Sequence, residues 1–207
     1  MARKKPVKRP PRVLLHAGCG ASQDSRLPSF LRPWRQIRVD VDPDLKPDLV
    51  ASITDLSAIA DDTVDAVWSA HCLEHLFAYE VPKALAEFRR VLRVSGFACI
   101  IVPDLQAIAH WIAGDRLQET IYQSAAGPVT AHDMLWGFGP AVAAGKTAMA
   151  HHSGFTPTLF LQYLKNAGFA EIVLRRRRSN LELAALALPR PSAGSRQRDS
   201  MMAALGL

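Results

Sequence analysis

Cysteine is scarce in this chain and long apolar runs are missing altogether. Only three cysteines occur in 207 residues. Cys19, Cys72 and Cys99 lie far apart, fit no zinc-ligand spacing and cannot all pair within one chain. That pattern argues against a disulfide scaffold or a zinc module and for a reduced, cytoplasmic protein with no metal-ligand set. No apolar stretch approaches the roughly 18 residues that a membrane span requires. The charged start is not followed by an apolar segment with a small-residue cleavage site, so no secretory leader is expected. No internal repeat is visible. Charged residues make up only 21% against 49% apolar, which excludes a largely disordered chain. The length suits one domain with a sizeable core.

Acidic residues are absent from positions 1–12, MARKKPVKRPPR, which hold six of the 25 Lys and Arg. The other 19 balance the 19 acids, so the net charge of +6 belongs to a tail. Such a segment, rich in proline and like charges, is expected to be disordered; it solubilises the chain or touches nucleic acid or anionic lipid. A second tail, 189–207, mixes Pro, Ser, Gly and Arg and is expected to be largely loose. The domain proper is 13–188.

Within it, VLLHAGCG (13–20) reads as a buried strand running into a tight turn. Further strands are expected at Ile37–Val41, ending near Ser52, at 66–70, at 97–103, at about 170–175 and at 181–188. Between the fourth and fifth, Val81, Leu85, Phe88 and Leu92 recur at helical spacing from about Glu80 to Arg93. Strands alternating with helices imply right-handed βαβ crossovers and a mainly parallel sheet, so the fold class is α/β. Residues 104–155 break the rhythm and read as a helical insertion before the last strands, with Asp104 able to cap its first helix. Thr156-Pro157 starts the next helix and Gly168 stops it.

The chemistry-bearing residues cluster at strand ends. Gly18-Cys19-Gly20 lets backbone approach a ligand at the carboxyl end of the sheet, where open α/β folds bind. Asp40 lies 20 residues past Gly20 at the end of the second strand, where a carboxylate accepts ribose hydroxyls; Asp42 is the less favoured alternative. A third glycine for a dinucleotide is lacking, since position 23 is Gln. The turn suits an adenosine ligand without a diphosphate.

At this point the sequence resembles the class I S-adenosylmethionine-dependent methyltransferases, particularly small bacterial members of the methyltransferase type 11 kind. LHAGCG is similar to the glycine-rich first motif, VDVDP to the acidic ribose motif, and DDTVDAVWSAHCLEHL to the fourth-strand motif. ALAEFRRVLRVSGFACIIVPD and HHSGFTPTLFLQYLKNAGF resemble the segments that follow, so the likeness spans about 13–175. It implies a Rossmann-like, seven-stranded, mostly parallel sheet with helices on both faces and the last strand antiparallel. It also implies S-adenosylmethionine as cofactor, bound by Ala17, Gly18, Cys19, Gly20, Asp40, Val41, Asp42, Ser52, Ile53, Ser69 and His71. His16 and Ser52 depart from the family pattern, which often has acids at both positions.

Methyl transfer needs alignment above all, and a base only for a hydroxyl or a protonated amine. The candidates are His71, His151 and His152. His75 reads rather as a packing or hydrogen-bonding residue, and Glu74 as an orienting or capping acid. Trp111, Trp136, Phe138 and Phe155 wall an acceptor pocket or sit in the core. The run Arg175–Arg178 reads as a charged edge. The expected activity is methyl transfer to a small molecule, with 104–155 as acceptor lid. Two alternatives stand beside it: a nucleic-acid methyltransferase using the basic tail, although the Asn/Asp-Pro-Pro-aromatic motif of base-amine enzymes is lacking, and a non-catalytic scaffold that kept the fold.

Overall fold

The computed structural model describes residues 11–21 and 27–205. The basic tail thus lies outside the described residues except for Pro11 and Arg12. In chain order the elements are β1 (Val13–Ala17), β2 (Arg35–Asp40), β3 (Leu49–Val50), β4 (Val64–Ala70), α1 (Val81–Val91) and β5 (Leu92–Pro103). An insertion follows, with α2 (Leu105–Ala113), the hairpin β6 (Thr120–Ser124) and β7 (Gly127–Thr130), α3 (Ala131–Trp136) and α4 (Gly139–Ala143). The chain then returns through α5 (Pro157–Asn166), β8 (Glu171–Arg177), β9 (Glu182–Leu188) and α6 (Ser195–Leu205).

Seven strands pair in the order β3-β2-β1-β4-β5-β9-β8. The first five run parallel, and β9 lies antiparallel to both β5 and β8. The order reverses between β1 and β4, and at such a switch point the loops leaving the two strands part and open a crevice.

Period-two alternation sends each strand's side chains to opposite layers. Leu15 and Ala17 of β1, Ile100 and Val102 of β5, and Leu183 and Ala185 of β9 face one layer. There α1 covers them with Val81, Leu85, Phe88 and Val91, and α5 with Phe160 and Leu164. Leu14, Trp68, Cys99, Ile101 and Leu186 face the other layer, closed by Leu27, Leu31 and α6 through Met202 and Leu205. The second tail is therefore not loose throughout: a helix forms there because two of its apolar residues bury against the sheet, a partner invisible to local composition.

Helix boundaries follow the expected caps. The Thr156 hydroxyl accepts from the Leu159 amide at 3.3 Å and opens α5. The hairpin β6–β7 was not expected. Ala125 and Ala126 form its turn, without the Asn-Gly or Asp-Gly signal that usually marks one.

The insertion is closed at its neck. Asp104 and Phe155 bridge, and the Leu105 amide donates to the Phe155 carbonyl at 2.9 Å. Inside it Ile108, Val129, Ala131 and Met134 form a small separate core, against which Trp111 and Phe138 pack. Phe155 is buried in the main core and Trp136 is exposed, so none of the four aromatics is a clear pocket wall.

Asp104 holds this neck. It accepts from the Ala107 amide as the cap of α2 and takes two bonds from Arg176, at 2.6 and 3.1 Å. Asp104→Ala is expected to cost about 2–4 kcal/mol, about 1 for the cap and the rest for charged hydrogen bonds, with Arg176 half-exposed. Urea denaturation checks this, and a loss below about 0.5 kcal/mol, the usual effect at a plain surface site, contradicts it. The arginine run on β8, an edge strand, is thus partly spent on carboxylates: Arg176 on Asp104 and Arg177 on Glu182, 3.6 Å away.

Candidate active site

Two loops meet at the carboxyl ends of β1 and β2. Gly18 and Cys19 both donate to the Val39 carbonyl, at 2.9 and 3.1 Å. The Asp40 carboxylate accepts from the Gly20 amide at 2.9 Å with one oxygen and from the Asp42 amide at 3.1 Å with the other. Gly18 and Gly20 both have left-handed backbones, with φ of 67° and 62°. For Gly18 a side chain is also excluded by space, because a Cβ would lie 2.4 Å from Cys72 Sγ. At Gly20 a Cβ would meet nothing within 4 Å.

The other residues expected here divide into neighbours and core. Ala17 ends β1 opposite Ser69 of β4, and both are buried. The Asp42 side chain caps the Pro43–Leu45 turn by accepting from the Asp44 amide at 2.9 Å, and its second oxygen lies 3.6 Å from Lys146 Nζ of the insertion. Val41 is exposed. The Ser52 hydroxyl is shared with Thr54 Oγ1 at 2.8 Å, and the Ile53 side chain packs in the main core. Cys19 takes a bond from Arg38 at 3.6 Å, and burial pushes its thiol pKa up. Cys72 is pushed up further by burial and the nearby carboxylates. His16 is buried within β1.

The loop after β4 carries a second cluster. His71 has a left-handed backbone, φ 52°, and its amide donates to the Ile101 carbonyl. Its ring lies between two buried acids: Nε2 is 2.8 Å from Glu182 and Nδ1 is 3.3 Å from Glu74. Burial opposes the charge, but the two carboxylates outweigh it and push the His71 pKa up to about 9. Burial raises the carboxyl pKa of both Glu74 and Glu182, yet the His71 cation carries each below its ordinary value. The raised pKa weighs against the expected role of His71 as a base. A protonated ring here faces a carboxylate with each nitrogen.

His151 differs. Its Nδ1 donates to the Met134 carbonyl at 2.9 Å, and burial lowers its pKa, only partly offset by Glu74. Burial favours the neutral ring, in which Nε2 carries the lone pair. The His152 side chain is exposed and stacks on Phe77 with centroids 4.3 Å apart. Sequence reasoning missed Glu182, 111 residues from its partner. It also undervalued His75, whose Nδ1 donates to the Ala150 carbonyl at 3.1 Å and whose ring meets His151 edge-on, centroids 4.8 Å apart.

The strand order, the glycine turn and the acid ending β2 together define the class. The chain has the class I S-adenosylmethionine-dependent methyltransferase fold, as its sequence led one to expect. Residues 15–100 match the family described as "Methyltransferase domain". Among solved structures it is similar to an S-adenosylmethionine-dependent methyltransferase from Archaeoglobus fulgidus, with 14% identity, a TM-score of 0.57 and 85% of each chain covered. It is also similar to the 1,6-didemethyltoxoflavin-N1-methyltransferase of Burkholderia thailandensis, at 17% identity and a TM-score of 0.52, covering 87% of this chain and 72% of that one. A search of curated proteins finds no match.

Proposed function

We propose that this protein transfers a methyl group from S-adenosylmethionine to a small-molecule acceptor lying between the glycine turn and the insertion. The observation that carries the reading is the Asp40–Gly20 bond, which joins a ribose-type acid to a glycine turn at the switch point. The residues fit such a ligand. Among the described residues nothing lies within 4 Å of a Cβ at Gly20, and each Asp40 oxygen accepts one amide and keeps a further lone pair. When bound, the cofactor supplies a methyl group already activated on a sulfonium.

The chain's own residues bind and align. The backbone of Ala17, Gly18, Cys19 and Gly20 would hold the amino-acid end, Asp40 the ribose, with Val41 and Asp42 at its rim. Ser52 and the Ile53 backbone would edge the adenine, and Ser69 and His71 would lie under the sulfonium end. The Lys146–Asp42 contact ties the insertion to the ribose side, consistent with 104–155 acting as a lid. Holding both reactants in line is itself worth about 7–11 kcal/mol of the barrier. The Burkholderia relative holds 1,6-didemethyltoxoflavin and S-adenosylhomocysteine, which supports a small acceptor. Among the described residues no helix is long and apolar enough to cross a membrane. The three unpaired thiols suit a reducing, cytoplasmic setting.

Calorimetric titration with S-adenosylmethionine and with S-adenosylhomocysteine tests the reading. Micromolar binding is expected, weakened about 10- to 100-fold in Asp40→Asn by loss of a charged hydrogen bond to the ribose. No heat with either ligand at millimolar concentration would leave a scaffold without cofactor. If the cofactor binds but RNA also binds with a steep salt dependence that is lost on deleting residues 2–11, the acceptor is a nucleic acid.

A further inference from the structure

We propose that Glu74, His75 and His151 form a binding site for one divalent first-row transition-metal ion, with open coordination positions toward the insertion. The inference rests on side-chain geometry and not on the methyl-transfer reading.

One candidate ligand atom from each of the three residues lies within 4.8 Å of the other two. The elements that carry them are locked together. Glu74 and His75 sit in the single turn Leu73–His75 after β4, and His151 is in the extended segment that leads from the insertion to α5. The amides of His152 and Ser153 both donate to the Glu74 carbonyl, at 2.8 and 3.1 Å, and the Ser153 hydroxyl donates to the Leu73 carbonyl.

Both rings are anchored through one nitrogen. His75 Nδ1 donates to the Ala150 carbonyl and His151 Nδ1 to the Met134 carbonyl, so in each ring Nε2 is the nitrogen left to serve as a ligand. A ring nitrogen donating to a backbone carbonyl while the other binds is the usual support of a metal-bound histidine.

The acid supplies the independent observation. Glu74 is 1% exposed, and among the described residues neither carboxylate oxygen has a hydrogen-bond partner, apart from the ion-pair contact of Oε1 with His71 Nδ1. A buried carboxylate with an oxygen left bare is costly. A cation between it and the two imidazoles would offset that cost. Two nitrogens and one carboxylate favour zinc, manganese, iron or cobalt over calcium or magnesium, and three protein ligands leave positions open. Bonds of about 2.1 Å place ligand atoms about 3–3.5 Å apart, so a spacing of 4.8 Å must close by about 1.3–1.8 Å, which is within the swing of a side chain. No cysteine takes part, which is why spacing rules read from the sequence did not find the set.

The full-length protein, freed of metal with a chelator, is titrated with Co2+ alone and followed by its visible absorption, and then with Mn2+ by NMR of the histidine rings. One equivalent of Co2+ is expected at micromolar concentration, weakened at least about 100-fold in His151→Ala and His75→Ala. His110→Ala, on the exposed side of α2, should leave it unchanged. In the unsubstituted protein Mn2+ should broaden the His75 and His151 rings ahead of His110 and His132, a result that no misfolded variant can mimic. Uniform broadening, or equal Co2+ binding by His151→Ala, overturns the site. Metal binding without S-adenosylmethionine binding would keep the site and reject the cofactor reading.

Discussion

Gly18→Val is expected to lose all measurable cofactor binding and about 2–5 kcal/mol of stability, from a left-handed penalty of about 1–2 and an overpacking cost of about 1–3. A Cβ at Gly18 would fall 2.4 Å from Cys72 Sγ and 2.7 Å from its Cβ, so one backbone must move. Moving the turn breaks the bonds of Gly18 and Cys19 to Val39 and pulls Gly20 from Asp40. Gly20→Ala isolates the conformational part. Its Cβ meets no described residue within 4 Å, so its stability loss should be only about 1–2 kcal/mol. Combining Gly18→Ala with Cys72→Gly should recover part of the loss. Denaturation curves and calorimetry of the four variants, Gly18→Ala alone included, decide the matter, and a Gly18→Ala protein of undiminished stability would refute the steric account.

His71→Ala is expected to cost about 3–5 kcal/mol, because it strips the shared cation from two buried carboxylates. Glu74 is 1% and Glu182 6% exposed at the side chain, and neither can hydrate without opening the sheet edge. The loss should shrink when Glu182→Ala is added, since one uncompensated charge leaves with its partner; a double-mutant cycle reads that coupling directly. Additive losses would mean that the contact holds nothing. The cluster joins β9 to the loop after β4, so its loss should also loosen the support beneath the Glu74 and His75 turn.

Strands, α1, α5 and the glycine–acid pair were legible because local physics writes them. A buried strand reads as a short apolar run, a covering helix as a period of three to four, and a cap as a hydroxyl before proline. Asp40 was chosen over Asp42 by its place at the strand end, and the structure joins Asp40 to Gly20 while Asp42 caps its own turn. The hairpin in the insertion escaped notice because two alanines make its turn. Helix α6 escaped because Met202 and Leu205 gain their burial from a sheet built far upstream.

The histidines mark the boundary. As residue types they carry two nitrogens each and nothing more, and the sequence alone determines only that four of them lie near the fourth strand and the insertion's return. Tertiary structure decides which ring lies between carboxylates, which is buried against a carbonyl and which stacks at the surface. Glu182 reaches His71 across 111 residues, Met134 orients His151, and Phe77 takes His152 out of the interior. Protonation depends on burial and on the charges brought within a few ångströms, and both are properties of the folded arrangement, not of neighbouring letters.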